Sequence, residues 1–325
     1  MTSPIAERTC RYVDARVQSC TQLCREHVAI ELAPAAFPPS DPGQFLQLLC
    51  SDEHSSRGAE REWRRDGFPS PTDADFLKPR PYLRRPFSLA DHWTAPDGGP
   101  RLLVISRSVG VGTRRLASLV AGDLLNIAGP LGHGFRTPPL DTPVALVGGG
   151  VGIPPLLYFA RRLHELGHRH VTVIFGALSR DLLPLTLRSE PQEHATTCVA
   201  LPGDVPYRAI ITTDDGSCGL HGRVTRGLRR WYDELRSGGG APPKVYACGP
   251  EAMLRAVADL TRELKLACQL CIERNMGCGL GTCLSCIVRV RAAERPTGWR
   301  WGLACTDGPV FDRDDLLDYA PGAGA

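Results

Sequence analysis

The stretch VALVGGGVGIPP, from Val144 to Pro155, decides the fold class. An apolar run ends in glycines, and two prolines then stand where a helix can begin. Strand, glycine-rich turn and proline-led helix form a unit whose free backbone N–H groups and positive helix end can face an anion such as a pyrophosphate. The pattern is not GxGxxG, and no acidic residue ends the next strand to take a ribose hydroxyl. Alternation continues downstream: helical PLLYFARRLHEL, strand HVTVIFGA, strand KVYACGP and helical EAMLRAVADLTRELK. Such alternation predicts a mostly parallel sheet with helices laid on it. Leu157, Leu163 and Leu166, with Phe159 beside them, would supply the apolar side of the first helix. The second strand ends in FGALSRD. There, Ser179 and Arg180 suit either a 2′-phosphate or the capping of a helix start, and capping is the preferred reading.

Upstream of Pro143 the texture differs. Short apolar runs, Val28 to Leu32, QFLQLLC, RLLVISRSV and DLLNIAG, are punctuated by Pro-Gly and Ala-Gly turns, which predicts an antiparallel barrel or sandwich. Residues 51–83, mixed in charge and rich in proline, read as a long surface loop, partly helical. Three segments of this half carry residues suited to a cofactor: RRPFS at Arg84–Ser88, VGVGT at Val109–Thr113 and GPLGHGF at Gly129–Phe135. An arginine two residues ahead of an aromatic, with a hydroxyl after it, suits a phosphate, a flat ring and a donor near that ring.

The chain has 325 residues, enough for two or three domains. Hydrophobic residues make up 42% and charged residues 22%, the composition of a globular protein. Lys and Arg number 38 against 35 Asp and Glu, a surplus too small to call for nucleic acid. The uncharged run from Val144 to Ala160 is broken by glycine and proline and too short to span a bilayer, so no membrane is expected. Thirteen cysteines without a secretion signal point to reduced thiols in the cytoplasm, ligating metal or taking part in catalysis.

Six of those cysteines fall between Cys268 and Cys305. Cys278, Cys283, Cys286 and Cys305 are separated by four, two and eighteen residues, the spacing of a plant-type [2Fe-2S] site. In MGCGLGTCLSC, Gly277, Gly279 and Gly281 allow positive φ and bring backbone N–H groups toward the sulfurs. A structural zinc site is the alternative. The cluster is preferred because a four-residue gap wraps a two-iron core better than a single ion. Cys268 and Cys271 read as small buried residues of a strand.

Taken together and in order, PGQF, RRPFS, GVGT, GPLGHGF, GGGVGIPP, ACGP, ERNMGCGLGTCLSC and ACTDGPVF resemble the electron-transfer subunit of class 1B dihydroorotate dehydrogenase, within the ferredoxin reductase superfamily. The resemblance covers roughly residues 26–315. It implies a multi-domain chain: an antiparallel β-barrel flavin domain over 1–140, an α/β parallel-sheet NAD domain over 141–265 and a small [2Fe-2S] domain over 266–325. Arg85, Pro86, Phe87 and Ser88 would hold FAD. Ile105, Ser106 and Arg107 would run along it, and Gly112 and Thr113 would meet its pyrophosphate. Gly148, Gly149, Gly150 and Gly152, with Cys248, Gly249 and Pro250, would border the nicotinamide of NAD, with NADP left open by the residues alone. Cys278, Cys283, Cys286 and Cys305 would bind the cluster.

The implied role is passage of electrons between [2Fe-2S], FAD and NAD, with dihydroorotate oxidised in a separate FMN catalytic subunit and the two assembled as a heterotetramer. A nicotinamide exchanges two electrons, a [2Fe-2S] centre one, and a flavin does both. No acid or base catalyst is then needed, and His133 reads as a loop residue. Met276, Leu280 and Leu284 are candidates for contact with the partner or, equally, for shielding the cluster from water. Phe87 stands where the family often has a smaller apolar residue, and the 51–83 segment is longer than expected. Reductases of the same superfamily serving a hydrogenase, a sulfur-reducing enzyme or a bifurcating transhydrogenase share these features, and a zinc-binding module is the reading from another class.

Overall fold

The computed structural model describes residues 10–51, 83–200, 207–236 and 241–320. Nearly all of the loop expected over 51–83 lies outside the described residues.

Six antiparallel strands close into a barrel in the order β1-β2-β5-β4-β3-β6: β1 Arg11–Cys24, β2 His27–Pro34, β3 Phe45–Leu48, β4 Arg85–Thr94, β5 Pro100–Arg107 and β6 Leu124–Leu131. Period-two alternation turns Ile30, Leu32, Leu46, Leu48, Leu102, Val104 and Ile127 into a fully buried interior. Closure decides between barrel and sandwich, and it needs two strands that composition hides. β1 is polar over most of its length, and its register shifts between Val17 and Ser19. β4 begins with Arg85-Pro86 and is paired with β3 on one side and β5 on the other. A short helix, α1 (Val111–Ala117), follows β5.

The second half is the expected parallel sheet. Its strands are β7 Val144–Gly149, β8 Val171–Ala177, β11 Arg208–Thr213, β12 Leu220–His221, β13 Lys244–Cys248, β14 Ala267–Cys271 and β17 Val310–Asp312, in the order β12-β11-β8-β7-β13-β14-β17, with β17 antiparallel. A separate two-stranded piece, β9 Thr186–Leu187 with β10 Val199–Ala200, flanks it. Helices α2 Ile153–Glu165, α3 Val224–Arg236 and α4 Glu251–Glu263 cover both faces. Successive residues feed opposite cores: Val144 and Leu146 pack with α2, while Ala145 and Val147 pack with α3 and α4. Leu157, Phe159 and Leu163 are buried as expected. Leu166 is not: it caps the end of α2 and is 43% exposed, because the chain turns away through Gly167.

The sheet runs past the boundary expected at 265. β14 pairs with β13 from Lys244↔Ala267 to Cys248↔Cys271, and β17 then pairs with β14. Beyond them, the hairpin of β15 Ile287–Arg291 and β16 Trp299–Leu303 supports the cysteine loop. Cys268 and Cys271 are both buried on β14 and face opposite sides of the sheet.

Barrel and sheet are bolted together by α2. Arg161 Nε donates to Asp91 Oδ1 of β4 at 2.7 Å and its Nη2 to the carbonyl of His92 at 2.7 Å, while the Tyr158 hydroxyl donates to the carbonyl of Ser40 at 2.7 Å. Among the described residues no helix is long and apolar enough to cross a membrane.

Candidate electron-transfer site

Three regions distant in sequence wall one cavity of about 1000 Å³. From the barrel come Arg85, Pro86, Phe87 and Ser88 at the start of β4, Ile105 and Arg107 at the end of β5, and Gly112 and Thr113 of α1. From the parallel sheet come Gly152, Cys248 and Gly249, at the carboxyl ends of β7 and β13 where open α/β sheets bind ligands. The third wall is the approach to the cysteine loop, Glu273 to Gly277, with Ser285. This third wall and Phe45 were not among the expected cofactor residues, although PGQF and ERNM carry them.

Some expected residues lie behind the wall. Ser106 is 1% exposed and shares the barrel-facing parity of Leu102 and Val104, while its neighbours Ile105 and Arg107 point the other way. Gly148 and Gly149 are buried at the end of β7, where a Cβ would meet Leu156 and Phe175 at 3.0 Å or Met253 Sδ at 2.6 Å. Those two glycines answer to packing. Gly150 has positive φ and open space around it, and Pro250 caps the start of α4. Gly152 makes the close approach that builds the site: a Cβ there would fall on the carbonyl of Cys248. Only glycine lets the turn after β7 rest on the turn after β13.

Charge is distributed to suit a phosphorylated, ring-bearing ligand. Arg85 makes no ion pair among the described residues, and its Nη1 bonds only the carbonyls of Leu83 and Arg84. Arg107, by contrast, is held by Glu26 at 2.9 Å. The Thr113 hydroxyl accepts from the backbone N–H of Val109 and of Gly110, both at 2.9 Å, and so shapes the turn beside the cavity. Free cation, apolar wall and volume together fit FAD. Past the carboxyl end of β8, the strand next to β7, Arg180 is tied to Glu190 by two bonds of 2.9 and 2.6 Å, and Ser179 bonds Asp181. Ser179 stands at the N-cap position of the short 3-10 helix Arg180–Leu182 but makes no side-chain capping bond there.

The four cysteines form two pairs. Cys286 and Cys305 are buried with their sulfurs 3.3 Å apart. Cys278 and Cys283 form the outer pair, and Cys278 Sγ accepts from the backbone N–H of Leu280 at 3.3 Å and of Cys283 at 3.4 Å. Hydrogen bonds from the Ser285 hydroxyl and backbone pull the Cys283 thiol down to about 6. Burial, with Cys286 beside it, pushes Cys305 up to about 12. Among the described residues no three His, Cys, Asp or Glu close round one ion. Two thiols per iron is what a two-iron core requires, and backbone N–H donors aimed at sulfur suit thiolates that hold a [2Fe-2S] group.

Around the loop, Leu280 (42%), Leu284 (60%), Ile287 (43%) and Trp301 (57%) are exposed. Met276, by contrast, lines the cavity and packs on the core that holds Cys286 and Cys305. His133 is a loop residue in a single bridge to Pro309, its N–H donating to the carbonyl of Gly308 at 2.6 Å.

Known proteins show the same parts. Residues 273–317 match the family model described as the iron-sulfur cluster binding domain of dihydroorotate dehydrogenase B, and residues 146–259 match that of the oxidoreductase NAD-binding domain. The dihydroorotate dehydrogenase B (NAD(+)) electron transfer subunit of Caldanaerobacter subterraneus subsp. tengcongensis is 31% identical over 85% of this chain and 87% of its own length. That of Streptococcus pneumoniae is 34% identical over 86% and 92%. In fold, the chain is similar to an NADH-dependent reduced ferredoxin-NADP oxidoreductase structure described in a study of flavin-based electron bifurcation, with TM-score 0.67 and 23% identity over 93% of this chain and 89% of that one. It is also similar to phthalate dioxygenase reductase, with TM-score 0.52 and 18% identity over 90% and 77%. With identity above 30% sustained across nearly the whole of such relatives, the chain belongs to the family of dihydroorotate dehydrogenase B electron transfer subunits.

Proposed function

We propose that this chain is the oxidoreductase subunit that passes electrons between a [2Fe-2S] cluster, FAD and NAD, coupling dihydroorotate oxidation in a partner FMN subunit to NAD+ reduction in pyrimidine biosynthesis. The observation that carries this reading is the single cavity walled at once by the β4 and β5 ends, the glycine turn and the cysteine loop. When bound, the flavin supplies the exchange between the two-electron chemistry of nicotinamide and the one-electron chemistry of the cluster.

The chain's own residues do the rest. Arg85 offers its cation to a phosphate, while Pro86 and Phe87 give the ring an apolar wall. Gly152 resting on Cys248 keeps the nicotinamide side narrow. Gly148, Gly149 and Gly150 hold the turn that borders the dinucleotide, and Cys248, Gly249 and Pro250 form its opposite lip. Cys278 with Cys283, and Cys286 with Cys305, hold the cluster. We assign NAD over NADP because Glu190 already holds Arg180, the cation that the sequence offered to a 2′-phosphate.

We assign 1–140 to FAD, 141–265 to NAD and 266–325 to the cluster, with β14 lent to the NAD sheet. Leu280 and Leu284, exposed beside the outer cysteine pair, are the proposed contact with the FMN catalytic subunit in a heterotetramer. Thirteen free thiols suit the cytoplasm.

The test is to mix the anaerobically purified chain with the same organism's dihydroorotate dehydrogenase catalytic subunit and follow dihydroorotate-dependent NAD+ reduction. Activity appears only in the mixture. Its absence, with FAD and cluster both visible by absorption, would move the acceptor to another partner.

A further inference from the structure

Gln47 is a polar side chain buried without payment in hydrogen bonds. It is 1% exposed on β3, and among the described residues neither its Oε1 nor its Nε2 has a partner. Amides removed from water are nearly always paired, because leaving them unpaired is costly. The backbone gives no explanation, since it is fully used: Gln47 pairs with Pro86 of β4 and with Ala128 of β6, and its carbonyl accepts from Arg84 Nη1 at 3.2 Å.

Alternation along β3 sends Leu46 and Leu48 into the barrel and turns Phe45 and Gln47 outward. The cysteine loop lies over that outward face. A Cβ on Gly279 would stand 2.8 Å from Gln47 Cγ and 3.0 Å from its Cδ, and would collide with Nε2. Gly279 directly follows Cys278, whose sulfur already draws two backbone donors from the loop. An orphan donor from the barrel therefore sits against the loop on the strand next to Arg85–Ser88.

We propose that Gln47 donates a hydrogen bond from Nε2 to the sulfur shell of the bound [2Fe-2S] cluster, as a positioning residue that raises the cluster's reduction potential. A donor at sulfur favours the reduced cluster, which carries the additional negative charge. The proposal rests on the cluster assignment made above.

The test is an EPR-monitored redox titration of the wild-type holoprotein, Gln47→Leu and Gln47→Met, with iron and sulfide content measured on each. Both variants are expected to keep their iron, to shift the cluster midpoint to more negative potential and to lose one exchangeable deuteron coupling in electron-nuclear double resonance. Unchanged midpoint and couplings at full iron content would overturn the proposal. If both variants lose iron, the wild type decides: with glutamine side chains labelled with 15N, a nitrogen coupling to the reduced cluster supports the bond, and its absence overturns it. A wild type with no [2Fe-2S] signal at all would overturn the cluster assignment itself, a result distinct from an unchanged potential.

Discussion

The turn Gly148–Gly152 and the loop Gly277–Gly281 are both rich in glycine and both lie at the same cavity, yet the glycines answer to different physics. In the first, Gly148, Gly149 and Gly152 are pressed against Leu156, Met253 and the Cys248 carbonyl, so the missing side chains are what allows two sheet turns to touch. In the second, Gly279 and Gly281 adopt φ of +75° and +88°, and the missing side chains are what allows the chain to curl round the outer thiols. One turn is built by packing. The other is built by left-handed backbone, with Cys283 exposed. Composition alone shows the two as alike.

The comparison breaks most visibly at the outer cysteine pair. Cys283→Ser should abolish dihydroorotate-dependent NAD+ reduction in the reconstituted complex while NADH oxidation by an artificial two-electron acceptor is retained; equal loss of both would mean that the two turns are not separable. Gly152→Ala tests the packed turn. Forcing a methyl onto the Cys248 carbonyl should cost about 1–3 kcal/mol of stability and depress NADH oxidation with iron content unchanged, read by thermal unfolding and by iron analysis. Gly279→Ala is the matching change in the other loop. Left-handed backbone at a residue with a Cβ costs about 1–2 kcal/mol, and the added methyl would also press on the Gln47 side chain, so cluster retention should fall while NADH oxidation stays.

The smallest expected effect belongs to the barrel. Burial pulls His27 and His92 below the ordinary histidine range, so both stay neutral in the folded chain. As pH falls below about 6.5, the unfolded chain takes up protons that the folded barrel refuses, and stability is lost in that direction. Thermal unfolding should therefore show a lower midpoint at acid pH than at neutral pH, with a shallower slope in His27→Gln.

Much of this was legible one residue at a time. The four cluster cysteines announce themselves by spacing, and the parallel sheet by alternating strand and helix. β1 and β4 were hidden because polar outward residues and Arg85-Pro86 weaken the local strand signal, and only pairing on both edges makes them strands. Leu166 has the right spacing for the face of α2 but sits one residue past its end. Met276 and Gln47 were left open or overlooked for a common reason: neither residue's role lies in its own segment. Met276 turns into a cavity whose other walls come from the barrel and the sheet, and Gln47 matters through a loop more than two hundred residues away.

What the sequence determined by itself was local chemistry: thiols at cluster spacing, glycines where the backbone must turn or approach, and apolar periods of two and of 3.6 residues, each dictated by near neighbours along the chain. What only the tertiary structure decided was convergence. The β4 and β5 ends, the Gly152 turn and the cysteine loop face one volume because the barrel closes, α2 clamps it to the sheet through Arg161 and Asp91, and β14 carries the chain from that sheet into the cluster loop. Contacts between distant segments depend on packing and register, which no single segment encodes.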